Sequence, residues 1–185
     1  MPVEVRIWRT PDEMRAGLSS GTMKAVVMPS YAAANLHNRG LGLKLVNILT
    51  QGLLSVVAPA GTVKTLADLK GKRVVVPFKN DMPDFIFRRL LAFSQITPYA
   101  LSIDYSGTPP EAVQLLLAGR ADAALLSEPA SAGALLLAGL RGKELERAID
   151  TRLAWQKATG AASLPQAGLA ISDPLGRELG EAGIR

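Results

Sequence analysis

Two stretches of the chain carry the same succession of apolar and polar positions. Val3-Glu-Val-Arg-Ile7 alternates with a period of two and predicts a strand, as does Leu101-Ser-Ile-Asp-Tyr105. Each runs into Thr-Pro-x-Glu, the start signal of a helix. Thr10 and Thr108 are placed as N-caps, Pro11 and Pro109 at the first helical position, and Glu13 and Glu111 as the returning acids of capping boxes. Gly21 and Gly119 end these helices as left-handed C-caps. A short apolar strand follows, "KAVVM" (24–28) or "DAALL" (122–126), whose lack of alternation predicts cover on both faces. It closes in a polar turn that opens another helix, Pro29-Ser30-Tyr31 in one copy and Ser127-Glu128-Pro129 in the other. A shift of 98 positions superposes the copies without a gap, matching Leu18 to Leu116 and Ala25 to Ala123 as well. Register over this length predicts one architectural unit used twice.

The rest of the chain fits around these copies. His37 and Asn38 near Gly40 read as a helix end, and "LGLKLVNIL" (41–49) and "GLLSVVAP" (52–59) as strands. "TLADLKG" (65–71) is a short helix capped by Thr65 with Asp68, "KRVVVPF" (72–78) a buried strand and "FIFRRLLAFSQI" (85–96) a helix. "LRGKELERAID" (140–150) is predicted as a helix with a wet face, "LPQAGLAIS" (164–172) as a returning strand, and "DPLGRELGEAGIR" (173–185) as the start of another helix. Strand, helix, strand, helix with short links predicts α/β lobes, each a mostly parallel sheet flanked by helices.

Composition narrows the function classes. At 185 residues and 48% hydrophobic, the chain can bury one core or two small ones. The net charge of +5 is scattered, with "KGKR" (70–73) its densest spot, and 5% aromatics supply no stacking platform, so nucleic acid is not an expected partner. Without cysteine there is no thiol nucleophile, disulfide frame or thiolate metal site. One histidine and no metal-ligand spacing leave little for acid–base or zinc chemistry, and neither G-x-G-x-x-G nor the P-loop pattern occurs. No catalytic residue, metal or cofactor is therefore expected. The longest apolar run, Ala132–Leu140, is about half of what a bilayer requires. The opening residues lack a basic start followed by an apolar stretch. That points to a cytoplasmic protein if the chain is native as given, or to a trimmed exported one.

At this point the residues carry a resemblance. Asp68-Leu-Lys-Gly-Lys72 before a strand, Gly119-x-x-Asp-Ala-Ala124, and the following Glu128-Pro129 resemble, in order and spacing, the extracytoplasmic solute-binding proteins of ABC importers, in the nitrate/sulfonate/taurine-type branch. The similarity covers nearly the whole chain. It implies a type II periplasmic-binding clamp, with an incomplete first lobe (1–59 and 173–185) and a second lobe (60–172). Crossing segments lie near Val57–Gly61 and Ala170–Pro174. It further implies a solute held between the lobes, a membrane permease as partner and a periplasmic or extracytoplasmic location. Family members begin with one more strand–loop–helix and end with further helices of the first lobe. An uncovered first lobe is then expected to expose apolar surface and favour self-association. At "FKND" (78–81) the family often has a small Gly/Ser loop near the solute, so the solute class is open here. The same fold serves small enzymes of the alternative menaquinone route and effector-sensing domains, which are the alternative readings.

In open parallel sheets, ligands sit beyond the carboxyl ends of strands, where helix N-termini present N–H groups and positive dipole ends. The residues so placed are Ser30, Tyr31, Asn80, Asp81, Thr108, Ser127 and Glu128, and converging helix ends favour a small anion or an anionic head group. Each has a structural reading beside it. Thr108, like Thr10, is read first as a cap, while Ser30 and Ser127 either cap or touch solute. Tyr31 is cleft wall or core; Asn80 and Asp81 are ligands or turn formers, with Asp81 a cap for the next helix. Glu128 favours a helix start through the dipole, and in a cleft it would suit a solute bearing N–H groups. Trp8 is a rim stacker or a cover for the sheet edge, and His37 a helix C-terminal residue.

Overall fold

A computed structural model describes residues 3–160 and, as backbone, 165–172. In chain order the elements are α1 (Pro11–Ser19), β1 (Ala25–Pro29), α2 (Ser30–Leu36), β2 (Leu43–Gln51), β3 (Leu54–Pro59), β4 (Arg73–Pro77), α3 (Met82–Phe93), β5 (Ser102–Ser106), α4 (Pro109–Leu117), β6 (Ala123–Ser127), α5 (Ala130–Leu140), β7 (Leu145–Asp150), α6 (Thr151–Thr159) and β8 (Pro165–Ser172). They fall into two units, Met1–Thr50 with Pro165–Arg185, and Gln51–Leu164.

The first unit holds a sheet in the order β1-β8-β2, with β1 and β8 antiparallel. The expected parallel pairing is therefore replaced at this pair by a returning strand. Met14 and Leu18 of α1, Val26 and Met28 of β1, Ala32 and Ala33 of α2 and Leu43 form its core. Trp8 packs against it and donates its indole N–H to the Val27 carbonyl at 3.0 Å, which settles Trp8 as a cover. His37 opens one π-helical turn after α2, its Nδ1 lying 2.9 Å from the Leu43 carbonyl oxygen. Residues 3–7 do not form the expected strand: Val3, Val5 and Ile7 are 76%, 85% and 87% exposed. Alternation supplies a strand with two faces but does not secure a backbone partner: residues 3–7 join no strand of the sheet, although β1 stands at its edge. Leu45, Val46 and Leu49 of β2 are half exposed.

The second unit holds a five-stranded sheet in the order β5-β4-β6-β3-β7. β4 runs parallel to both β5 and β6, and β3 is antiparallel to both β6 and β7, so four strands point one way around a single reversed one. Both faces are covered, as the unalternating Val74–Val76 and Ala123–Leu126 require. Val74, Val76, Ala123 and Leu125 pack with Phe87 and Leu91 of α3 on one face. Val75, Ala124 and Leu126 pack with Val113 and Leu116 of α4 and Ala134 and Ala138 of α5 on the other.

Residues 140–150 overturn the predicted wet helix. α5 ends at Leu140, Gly142 turns the chain at φ +65°, and β7 pairs along the outer edge of β3. Arg147 faces Val57 while Ile149 faces Val56, so Ala148 is an extra residue in a bulge. That bulge breaks the alternation and makes the charges at 144, 146 and 147 mimic a helical surface. The helix begins only afterwards: Asp150 caps α6, its Oδ1 accepting from the N–H groups of Arg152 at 2.8 Å and Leu153 at 3.3 Å. The helix expected at 173–185 lies outside the described residues.

The two copies agree in detail beyond their first strands. α1 and α4, and β1 and β6, occupy positions related by the same shift of 98. Thr10 and Thr108 each accept from the N–H three residues on, at 3.2 and 3.3 Å. Glu13 and Glu111 each return to the N–H one residue before the cap, Arg9 and Gly107, both at 2.8 Å. Gly21 and Gly119 follow with φ +73° and +72°.

Candidate functional site

The topology of the second unit gathers three helix starts at one edge of its sheet. β5, β4 and β6 are adjacent and parallel, so the turns after Pro77, Ser106 and Ser127 share that edge and open α3, α4 and α5. The connection after β4 leaves to the face of α3, while those after its neighbours leave to the face of α4 and α5. Such a change of side between adjacent parallel strands is where open α/β sheets form a ligand crevice. Asn80, Asp81, Thr108, Ser127 and Glu128 all lie on this edge. Ser30 and Tyr31 belong to the first unit, where they open α2 directly after β1, and Tyr31 packs half-buried against the first core.

The turn after β4 is the most constrained. Phe78 and Asn80 both sit in the left-handed region, at φ +58° and +59°, a conformation glycine adopts freely and phenylalanine does not. The Phe78 N–H is bonded to the Ser106 carbonyl at 2.9 Å and ties this turn to the end of β5. The Asn80 N–H donates to Asp84 Oδ2 at 3.0 Å, and Asp81, 8% exposed, caps α3 by accepting from the Met82 N–H at 2.7 Å. The cap expected at Asp81 is thus present.

Thr108 is wholly occupied as a cap, and α4 departs from the expectation that every helix tip offers free N–H groups. Pro109 and Pro110 have none, the Glu111 N–H goes to Thr108 Oγ1 at 3.3 Å, and the Ala112 N–H goes to the Thr108 carbonyl at 3.2 Å. The first turn of α4 can offer a solute only its dipole. Ser106, buried and unremarked in the sequence, donates through Oγ to the Thr108 carbonyl at 3.0 Å and secures the same turn.

Glu128 takes its structural reading. Its peptide bond to Pro129 is cis. Oε1 accepts from the Ser131 hydroxyl and from Arg147, at 2.9 Å from Nε and 2.8 Å from Nη2, and Oε2 accepts from the Ala132 N–H at 3.3 Å. The Ser131 hydroxyl, with the Ala132 N–H and Arg147, holds its carboxyl below the ordinary glutamate value. Its charge is matched within the unit, so it neither repels an anion strongly nor stands free to recognise a cation.

Lys79, Asp84 and Tyr105 were not legible as site residues. Asp84, fully buried, accepts from Arg88 Nε at 2.7 Å and the Tyr105 hydroxyl at 3.0 Å, and Arg88 also bonds that hydroxyl. Burial, with the bond to Asp84 and against the lowering effect of the bond to Arg88, raises the Tyr105 phenol above its ordinary value. Lys79 Nζ stands 5.2 Å from the centre of the Tyr105 ring. The only available signal was the Asp–x–x–x–Arg spacing of Asp84 and Arg88 on a helix; Tyr105 lies far along the chain. No His/Cys/Asp/Glu group suited to a metal occurs among the described residues, and none of their helices is long and apolar enough to cross a membrane.

Comparison with known proteins agrees with this architecture. An ABC transporter protein from Parabacteroides distasonis superposes with a TM-score of 0.74 at 24% identity over 98% of this chain. The periplasmic aliphatic sulphonate binding protein SsuA from Escherichia coli gives 0.72 at 18% identity over 94%. The alkanesulfonate-binding protein SsuA from Xanthomonas axonopodis pv. citri, bound to MOPS, gives 0.65 at 18% identity over 93%. At these identities the likeness establishes the fold, an α/β periplasmic-binding-protein type. The chain spans 60%, 55% and 55% of those three proteins, a little over half their length. Among curated proteins there is no match. The family model for "ABC transporter, phosphonate, periplasmic substrate-binding protein" matches residues 1–152, and the chain belongs to that family.

Proposed function

We propose that this chain is the solute-binding component of an ABC importer, outside the cytoplasm, which captures a small oxyanion and presents it to a membrane permease. The solute is a compact phosphonate or sulfonate head group. It is taken between Ser30 and Tyr31 of one lobe and the Asn80–Asp81 and Ser127 turns of the other, while Thr108 and Glu128 shape the second lobe's edge without touching it. The observation that carries this reading is the convergence of three parallel strand ends, each opening a helix, on one edge of the second sheet. Family membership supports a binding role, and two of the similar structures are named for sulfonates. Binding proceeds without turnover: hinge closure, not bond making, is the event the permease reads.

Thermal unfolding with methylphosphonate, inorganic phosphate, methanesulfonate, taurine and nitrate tests the proposal. A ligand at a hundred times its Kd should raise stability by about 2.7 kcal/mol and be recovered unchanged. A panel that leaves the unfolding midpoint unmoved contradicts it.

A further inference from the structure

We propose that Lys79 is the group that recognises the anion at the second unit's edge, and that buried Asp84 positions it; this rests on the solute-binding reading above. The turn "FKND", unusual as a solute-facing loop, puts its one cation between two left-handed residues, Phe78 and Asn80. Lys79 is exposed, and its ammonium lies 5.2 Å from the Tyr105 ring centre, within cation–π range. A ring face orients an ammonium without cancelling its charge as a carboxylate would. The comparison within the unit is direct: Arg147 is matched by Glu128 and Arg73 by Asp122, whereas the acids beside Lys79 are engaged elsewhere. Asp81 caps Met82, and Asp84 is taken by the Asn80 N–H, Arg88 and Tyr105. Lysine binds as a compact point charge without demanding a planar partner, which suits a tetrahedral oxyanion.

Asp84 fixes both halves of this arrangement. Its Oδ2 holds the Asn80 N–H at 3.0 Å and so the backbone of the turn. Its Oδ1 holds the Tyr105 hydroxyl at 3.0 Å and so the ring on which Lys79 rests. A fully buried carboxylate carries a desolvation penalty that apolar packing would avoid, so its contribution is geometric order and not net stability.

Titration calorimetry of the whole chain with methylphosphonate and methanesulfonate tests this. Lys79→Met should weaken binding at least tenfold with an unchanged unfolding midpoint. Asp84→Asn should weaken it at least fivefold, and the double variant should bind no worse than Lys79→Met within a factor of two, because Asp84 acts through Lys79. In the proton spectrum, the Lys79 ε-methylene signals should be shifted upfield by the Tyr105 ring and lose that shift in Asp84→Asn. If Asp84→Asn does not fold, Tyr105→Leu makes the same test of positioning. Asp122→Asn, which opens the Arg73 pair away from this edge, should leave affinity intact. Wild-type binding with an unaffected Lys79→Met overturns this inference alone, and multiplied effects in the double variant overturn the role of Asp84. A wild-type chain that binds neither anion overturns the solute-binding reading itself.

Discussion

Replacing Phe87 by alanine should destabilise the second unit by about 3–5 kcal/mol, the usual cost of emptying a large aromatic site in a core. Phe87 is fully buried, the largest such side chain among the described residues, and it shares one core cluster with Val74 and Val76 of β4, Leu91 of its own helix and Leu125 of β6. These contacts hold α3 against the sheet, and the first turn of α3 carries the Asp81 cap and the Asp84 bond to Asn80. Loss of Phe87 should therefore lower the unfolding midpoint by on the order of 10 °C and loosen the turn at 78–81 in the same variant. Phe85 on the same helix is 50% exposed, so Phe85→Ala should stay within about 1 kcal/mol of the parent. Equal losses for the two variants in urea unfolding would mean that α3 does not rest on this face.

The second large effect belongs to Gly52, between β2 and β3. Its φ is +70°, and a Cβ built there would stand 2.5 Å from Arg152 Cβ at the start of α6. Gly52→Ala incurs both the left-handed backbone penalty and a contact that the base of an arginine side chain cannot vacate without moving the helix. Together these should cost about 2–5 kcal/mol. Gly61 is the matched control: its φ is +74° with open space around the built Cβ, so Gly61→Ala should lose only the backbone part, about 1 kcal/mol. Chemical denaturation of both variants separates the two contributions, and similar losses at the two sites would refute the close approach of α6.

Much of the fold was legible because its local signals agree with its packing. Thr-Pro-x-Glu at 10–13 and 108–111, with Gly21 and Gly119, located two helices to the residue, and the apolar runs 74–76 and 123–126 located two strands covered on both faces. The failures came where one strand's fate depends on another. Val3–Ile7 has a strand's alternation but pairs with no strand among the described residues, and β7 hides its period behind a bulge that exists only because β3 is its neighbour. α6 goes unread in the sequence once its cap, Asp150, is taken as the last residue of a helix over 140–150.

The site was legible in position more than in chemistry. Strand ends and helix starts put Asn80, Asp81, Ser127 and Glu128 on one edge, but sequence spacing cannot reveal that two prolines and a cap use up the donors of α4, or that Glu128 is matched by Arg147 from a strand read as helix. Lys79, Asp84 and Tyr105 escaped for the same reason: a buried carboxylate and a ring beneath an ammonium become a unit only when β5 is laid beside β4.

On the proposed function, the solute binds at the carboxyl ends of β4, β5 and β6. Amide spectra recorded during a titration with methylphosphonate address it residue by residue. Saturable shifts are expected at Lys79, Asn80, Asp81, Gly107 and Ser127, and at Ser30 and Tyr31 of the first unit. Shifts confined to the opposite edge, around Lys72, Gly119 and Lys143, would contradict it.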